Sequence, residues 1–247
     1  MEILRGLTSP QFDSMWMGNH NWCEAPNIRR GGWSGVRKVE IETPDGIIPI
    51  YLKQQFRHSY RSWTTLFRKQ PTALREYRNI RRLEAIGVPT VEVLMFAVKG
   101  DTAVLGTRAL EGYQALDQID LKQLTLNQRR ALVRAIARCV RKLHRYHYQH
   151  NCLYPKHIFV RQQGENWSVR LIDLEKMRRR WRRDAAMKHD LDTLCRRSLM
   201  LFEQRDRIVF MRAYLSDDST RPMIQRRILR RLFCGQALTD INDTSKT

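Results

Sequence analysis

The sequence predicts an α+β fold of two lobes, in which an antiparallel sheet lobe is followed by a mainly helical lobe. Up to about residue 107, short apolar segments separated by turn residues predict strands, with one helical stretch among them. After that point apolar residues recur at helical spacing, and one predicted hairpin interrupts them. Because strands and helices are segregated along the chain, we expect a first lobe over residues 1–107, a connector over 108–112 and a second lobe over 113–247.

Composition and charge indicate a globular protein with an anionic partner. The chain has 247 residues, enough for a sizeable core, and a formal net charge of +20. Such a charge favours nucleic acid, an acidic membrane surface or a phosphorylated substrate. Its five cysteines are scattered, the N-terminus lacks a signal-peptide pattern, and no apolar run is long enough to span a bilayer. We therefore expect a soluble protein of a reducing compartment.

The first lobe is predicted to carry two residues of opposite charge, one on a strand and one on a helix. A glycine-rich stretch over residues 30–36 precedes a hairpin over 36–53, whose second strand ends at Lys53. A helix over 71–87 follows, with Glu76 one turn in. A lysine that closes a strand can simply reach solvent, and a lone glutamate on a basic helix usually forms a surface ion pair. Their order in the chain favours a functional pair.

Three further segments belong to the first lobe or adjoin it. Apolar residues over 90–97 and 102–106 predict two more strands. Residues 56–70 mix basic and aromatic side chains, an insert that either contacts lipid headgroups or nucleic acid or is a solvated loop. Residues 107–112 are predicted to connect a strand to the second lobe.

Helices dominate the predicted second lobe. The capping box Thr125–Gln128 opens a long helix whose apolar face ends at Leu143. Further helices are predicted over residues 184–202, 204–215 and 222–233.

The most informative stretch lies between these helices. It reads His150-Asn151-Cys152-Leu153-Tyr154-Pro155-Lys156-His157-Ile158-Phe159-Val160, then a polar turn and a strand that ends in Ile172-Asp173-Leu174-Glu175. Protein kinases build their catalytic loop and metal-binding Asp on this plan. On that template His150 falls on the leading His, Cys152 on the catalytic Asp, and His157 on the metal-binding Asn. Asp173 falls on the Asp of the second metal motif.

The chain resembles the lipopolysaccharide kinase family, protein-kinase-like bacterial enzymes that phosphorylate Kdo or heptose of the lipopolysaccharide core, and within it the InaA branch. The residues that carry the resemblance are Lys53, Glu76, the loop 150–160, Ile172–Glu175 and Asp190-Leu191. It implies a protein-kinase-like fold with ATP and Mg²⁺ as cofactors. It also implies phosphoryl transfer to a sugar hydroxyl of lipopolysaccharide core or a similar anionic acceptor.

Individual roles follow from this resemblance. Lys53 would position the α- and β-phosphates while Glu76 holds it, and Gly32 and Gly35 would cover the phosphates. The other implied roles are adenine recognition by the backbone of Glu111, Mg²⁺ binding by Asp173 and His157, phosphate neutralisation by Lys156, bracing of the loop by Asp190, and packing of His150 on Leu174.

Five arginines fall in the segment where a kinase docks its substrate. They surround one tryptophan and are Arg178, Arg179, Arg180, Arg182 and Arg183. Such a cluster would suit an anionic sugar or the cytoplasmic face of an acidic inner membrane, although a solvated basic face is the simpler interpretation.

Cys152 departs most from the template. A carboxylate there accepts the proton of the substrate hydroxyl, and a thiol with an ordinary pKa near 8.5 is a poor substitute. Loss of a general base lowers the rate by roughly 10²–10⁴-fold without abolishing nucleotide binding. A catalytically impaired pseudokinase with a regulatory or stress-sensing role is therefore the alternative.

A separate metal site, a cysteine nucleophile and a nucleic-acid-binding role receive less weight. The spacing of His144, His147 and His150 near Cys152 invites a metal site or a Cys/His nucleophile, but no fixed ligand geometry follows from it. The net charge and the arginine cluster also leave a basic nucleic-acid-binding protein open, although no nucleic-acid motif is present.

Overall fold

The computed structural model describes the fold of most of the chain. The described residues are 2–4, 13, 16, 21–29, 31–43, 46–61, 69–198 and 201–216. They fall into two compact units, the first drawn from residues 1–85 and 90–111 and the second from 86–89 and 112–247. Part of the basic aromatic insert (62–68) and the predicted helix 222–233 lie outside the described residues.

Among the described residues, the first unit contains antiparallel sheets and a helix over residues 72–85. Its strands are β1 (Glu2–Leu4), β2 (Asn27–Arg29), β3 (Gly32–Thr43), β4 (Gly46–Phe56), β5 (Ser59–Tyr60), β6 (Gln70–Pro71), β7 (Val93–Lys99) and β8 (Thr102–Arg108), and its helix is α1 (Thr72–Ala85). Six strands form one sheet in the order β1-β7-β8-β4-β3-β2, while β5 and β6 pair separately. Every neighbouring pair is antiparallel, as the sequence predicts for this lobe.

Strand β4 lies inside this sheet and supplies its core. Ile50 and Leu52 are fully buried, whereas Tyr51 between them is exposed, which is the period-two pattern of a strand with one covered face. The two apolar side chains pack with Met95 and Ala97 of β7 and with Val104 of β8. This packing fixes the register in which later residues of β4 are presented.

The second unit is mainly helical. Its helices are α2 (Leu126–Arg145), α3 (Arg183–Arg197) and α4 (Gln204–Leu215), and its strands are β9 (Gln114–Ala115), β10 (Tyr148–Gln149), β11 (Ile158–Gln163), β12 (Asn166–Leu171) and β13 (Arg178–Arg179). The β11–β12 hairpin is extended by β9, and β10 pairs with β13. Helix α2 buries Leu132, Ile136, Val140 and Leu143 completely. Its predicted capping box, with Thr125 and Gln128 bonded reciprocally, is confirmed.

Two predicted boundaries differ from the structure. The helix predicted to run to residue 202 ends at Arg197, where the Ser198 hydroxyl donates to the Leu194 carbonyl. A serine that bonds the preceding turn competes with helix continuation. The glycine-rich stretch, predicted as a segment before the hairpin, lies largely within it, because β3 already begins at Gly32.

Candidate active site

Lys53 and Glu76 form an ion pair in the first unit. Lys53 Nζ donates to Glu76 Oε2 at 2.6 Å, and the two side chains are only 17% and 12% exposed. Lys53 lies on β4 between β3 and β8, opposite Val36 and Leu105. Glu76 is on α1. The structure therefore brings together the two charged residues that the sequence analysis linked by their order in the chain and by the family resemblance.

Gln55 holds the start of the helix that carries Glu76. Its buried side-chain oxygen accepts from the Ala73 amide at 2.8 Å and from the Thr72 hydroxyl at 3.1 Å, while its nitrogen donates to Ser34 Oγ. A helix N-terminus leaves backbone amides without partners, and Gln55 satisfies one of them. Since Gln55 follows Lys53 by two residues on β4, one strand sets the position of both partners. The sequence analysis missed this role.

Gly32 and Gly35 have packing reasons to lack a side chain. A Cβ at Gly32 would lie 2.6 Å from backbone atoms of Phe56 and Arg57, and one at Gly35 would lie 2.6 Å from the ring of Trp22. Packing within the unit thus explains both glycines, and their predicted contact with phosphates stays a prediction.

The predicted adenine contact falls on an exposed turn. Glu111 is exposed, and its amide donates to the Ala109 carbonyl at 3.1 Å. An adenine that accepted a hydrogen bond from this amide would have to share it with the Ala109 carbonyl. The predicted adenine contact of Glu111 therefore stays a prediction.

In the second unit, one buried carboxylate braces the predicted catalytic loop. Asp190 on α3 is fully buried and accepts from the amides of His150 at 2.6 Å and Asn151 at 2.9 Å. It also accepts from His144 Nε2 at 3.1 Å, on the last turn of α2. Two helices and the loop therefore converge on this carboxylate, whose role in a catalytic loop stays a prediction.

The environment of Asp190 keeps it ionised. Burial alone would raise the pKa of this carboxyl, but hydrogen bonds from His144 and His189 and the nearby imidazoles outweigh burial, so its pKa lies well below the ordinary value. His144 Nε2 donates to Asp190, and its Nδ1 is hydrogen-bonded to Tyr214 Oη at 2.7 Å. The network thus reaches Tyr214 on α4, a connection that sequence reasoning missed.

His150 links the loop to the residue before Asp173. Its Nε2 donates to the Ile172 carbonyl at 3.0 Å. The ring is fully buried, and burial lowers its pKa, so it remains neutral near pH 7. Leu174, the predicted packing partner of His150, is also fully buried. Their predicted packing on each other stays a prediction.

His157 and Asp173 present two facing ligand atoms. His157 Nδ1 donates to the Cys152 carbonyl at 2.8 Å, because a carbonyl can only accept, and its Nε2 faces Asp173. This Nε2 lies 3.5 Å from Asp173 Oδ2. An imidazole nitrogen and a carboxylate at that distance are joined either by a proton on the ring or by a cation. Mg²⁺ prefers oxygen ligands, so Asp173 suits this ion better than His157 does, and the predicted Mg²⁺ binding by the two residues stays a prediction.

No larger protein-only metal cluster accompanies this pair in the part of the chain that the structure describes. Mg²⁺ is usually held through one or two carboxylates together with substrate phosphates and water, so a nucleotide-bound ion would need no larger protein cluster than one that includes Asp173. Among the three histidines considered for another metal site, His144 bonds to Asp190 and Tyr214, His147 Nδ1 donates to the Trp181 carbonyl, and His150 donates to Ile172. Their rings bind separate partners.

Cys152 lies at the loop position where kinases carry the base. Its residue is only 5% exposed, and burial raises the pKa of its thiol, which nearby Lys176 only partly opposes. The thiol therefore stays protonated at neutral pH and cannot accept a proton from a substrate. Lys156, by contrast, is exposed on the short 3₁₀ turn Pro155–His157, where a phosphate could reach it.

The arginine cluster follows Asp173 on an ordered backbone. Arg178 and Arg179 form β13, which pairs with Tyr148 and Gln149 of β10 immediately before the loop. All five arginines were predicted to bind substrate. The structure leaves Arg178, Arg179 and Arg182 exposed and Arg180 and Arg183 half-buried, and the predicted binding of substrate by all five stays a prediction.

Comparison with solved structures defines the class of fold. The structure of WaaP in complex with acyl carrier protein superposes with a TM-score of 0.61 at 21% identity, covering 100% of this chain and 98% of that one. An aminoglycoside-3'-phosphotransferase of type VIII gives a TM-score of 0.52 at 15% identity, covering 86% of this chain and 93% of that one. The predicted protein-kinase-like fold, a sheet lobe followed by a helical lobe, is thereby confirmed.

Sequence comparison then identifies the family. The model of the lipopolysaccharide kinase (Kdo/WaaP) family matches residues 13–214. Protein InaA of Escherichia coli K12 is 33% identical over 192 residues, which cover 74% of this chain and 86% of that protein. The chain belongs to the lipopolysaccharide kinase (Kdo/WaaP) family, as the sequence motifs predicted. Among the described helices, none is both long and apolar enough to cross a bilayer.

Proposed function

We propose that this protein transfers the γ-phosphoryl group of ATP, with Mg²⁺, to a sugar hydroxyl of lipopolysaccharide core or a similar anionic acceptor. The observation that carries the proposal is that two sets of kinase-type residues are each assembled within their own unit. One is the Lys53–Glu76 ion pair at 2.6 Å, and the other is the facing pair His157 and Asp173. Family membership supports the acceptor class.

In this proposal the chain's own residues bind and orient the reactants. Lys53, held by Glu76, would bind the α- and β-phosphates, and Asp173 with His157 would hold Mg²⁺. Bound Mg²⁺ would supply neutralisation of phosphate charge. Lys156 would offset the charge of the transferring phosphoryl group, and the exposed arginines would attract the anionic acceptor.

Removal of the proton from the acceptor hydroxyl does not require a thiolate at Cys152. As the hydroxyl oxygen bonds to the γ-phosphorus, the bond to the ADP oxygen breaks, and the hydroxyl proton leaves to water or to a phosphate oxygen. Phosphoryl transfer depends mostly on positioning and charge stabilisation, so a protonated Cys152 lowers the rate rather than preventing transfer. We therefore expect a slow kinase.

A pseudokinase is the second candidate, and the buried Cys152 is the observation that favours it. A binding role without catalysis would keep the framework around Asp190 and dispense with a base. It would give nucleotide binding without turnover, which distinguishes it from the first candidate.

The first test is calorimetric ATP binding with and without Mg²⁺. Wild type is expected to bind ATP in a Mg²⁺-dependent manner, and Asp173→Ala is expected to lose that dependence. Asp192→Ala is the matched control, because Asp192 lies on α3 and pairs with Arg196 at the surface. Binding that is the same in wild type and Asp173→Ala would show that the assigned metal residue is wrong. Transfer from radiolabelled ATP to core oligosaccharide then separates a kinase from a pseudokinase.

A further inference from the structure

Trp181 stands fully in solvent in the middle of the arginine cluster. Its relative exposure is 100%, the largest among the exposed apolar residues of the described chain. Single exposed apolar residues are common and by themselves mean little. Here the backbone that carries the side chain and the charges around it add two independent observations.

The backbone at Arg180 and Trp181 is hydrogen-bonded to His147. The Arg180 amide donates to the His147 carbonyl at 2.8 Å, and His147 Nδ1 donates to the Trp181 carbonyl at 3.2 Å. His147 itself has a positive φ of 64°, which a non-glycine residue adopts only at a cost. The pairing of β10 with β13 extends these hydrogen bonds to Arg178 and Arg179. The exposed indole is therefore attached to a backbone segment that hydrogen bonds hold in place.

The segment over residues 178–182 is strongly basic. Arg178, Arg179 and Arg182 are exposed in the same segment as the indole, and Arg182 pairs with Asp184 at 3.3 Å at the surface. Arg145 and Tyr146, which precede His147, are exposed as well. Tryptophan and tyrosine are enriched at membrane–water interfaces, and arginines at such positions attract anionic headgroups.

We propose that Trp181, Arg178, Arg179 and Arg182 form a docking surface for an anionic lipid membrane. The indole enters the headgroup region while the guanidinium groups bind lipid phosphates. Single-stranded nucleic acid is less suited, since its binding platforms stack successive bases on several aromatic residues, whereas this segment offers one indole. The choice also rests on the proposed function, whose acceptor is a sugar of lipopolysaccharide core or a similar anionic acceptor.

The experiment measures sedimentation with vesicles of phosphatidylcholine, alone or mixed with phosphatidylglycerol, at about 0.15 M salt. The wild-type chain is expected to bind the mixed vesicles and to release them at high salt. The triple substitution of Arg178, Arg179 and Arg182 to Gln is expected to weaken binding roughly 100-fold, because each basic residue near an anionic surface contributes about fivefold. Trp181→Ala, which keeps every charge, is expected to weaken it about tenfold.

The matched control removes the same number of positive charges from a different part of the surface. Arg130, Arg134 and Arg138 are exposed on one face of α2, and their triple substitution to Gln also removes three positive charges. This control is expected to lose less than about fivefold, through the general field alone. Thermal unfolding of each variant checks that it is folded, and Trp181→Ala provides the test if the arginine variant is not.

A second readout reports insertion of the indole. Mixed vesicles are expected to shift tryptophan emission to the blue, and bromine-labelled lipid is expected to quench it, in wild type but not in Trp181→Phe. The proposal is overturned if the two triple variants lose binding equally, if Trp181→Ala binds like wild type, or if single-stranded DNA competes the protein off vesicles through the same residues. None of these measurements requires ATP, so failure here is separable from failure of the proposed phosphotransfer.

Discussion

The two sets of candidate site residues differ in how they are held and in which residues they keep. In the first unit the Lys53–Glu76 pair has the residue types of a kinase and is held by a part-buried ion pair and by Gln55 at the start of the helix that carries Glu76. In the second unit the loop has a buried, multiply bonded framework around Asp190, but Cys152 and His157 replace the residues that a kinase uses for chemistry. The comparison teaches that the framework of a catalytic loop is separable from its reactive groups.

The largest expected effect tests the framework. Asp190→Ala would leave two loop amides and His144 without their buried acceptor, and we expect a loss of about 3–5 kcal/mol of unfolding free energy. Chemical denaturation measures it, and Asp192→Ala on the same helix is expected to cost far less. An equal loss in both variants would mean that Asp190 is not the centre of the framework.

The same carboxylate predicts a pH dependence. Because the folded-state pKa of Asp190 is depressed, its contribution is complete above the unfolded pKa near 4 and is lost as pH falls toward the folded pKa. The stability difference between wild type and Asp190→Asn should therefore shrink as pH is lowered below about 4. A difference that stays constant there would contradict the depressed pKa.

The second prediction concerns the missing base. Cys152→Asp is expected to raise kcat roughly 100-fold near pH 7, the lower end of the range for general-base help, because Asp173 and Asp190 oppose a further negative charge. Cys152→Ser is the size-matched control and should give no gain. Transfer from radiolabelled ATP to core oligosaccharide measures both rates. If the two variants are equally slow, the base is not what limits the reaction.

The third prediction returns to the first unit. Lys53→Met is expected to weaken ATP binding about tenfold, since a charge-assisted contact to the phosphates is lost. Lys99→Met is the control on the same sheet, where Lys99 pairs with exposed Asp13 at 2.7 Å. Calorimetry should leave the control at wild-type affinity. Equal weakening would indicate a general loss of positive charge rather than a phosphate contact at Lys53.

The smallest expected effect tests the cap that positions Glu76. Gln55→Ala leaves the Ala73 amide without its acceptor, and we expect a loss of about 1 kcal/mol in unfolding free energy. Gln163→Ala, at an exposed position on β11, should change stability by less than about 0.5 kcal/mol. If Gln55→Ala lowers the free energy of ATP binding by more than it lowers the free energy of unfolding, Gln55 also acts through the Lys53–Glu76 pair.

Much of the fold was predictable because it rests on local patterns. The capping box at Thr125, the helix 204–215 and the long hairpin ending near Lys53 are encoded by adjacent residues and were confirmed. The family resemblance also pointed to Asp190 before its contacts were known. The boundary at Arg197 was missed, because a helical pattern continues past the point where the Ser198 hydroxyl ends the helix.

The sequence by itself determined the order of elements, the net positive charge and the spacing of the loop residues, since periodicity, turn chemistry and motif spacing act over a few residues. Only the tertiary structure decided which distant groups meet. Tyr214 lies 70 positions after His144, and the Trp181 carbonyl lies 34 after His147, yet each pair is hydrogen-bonded. Such contacts form because packing of the helices and short strands brings buried polar atoms together, where each must find a partner.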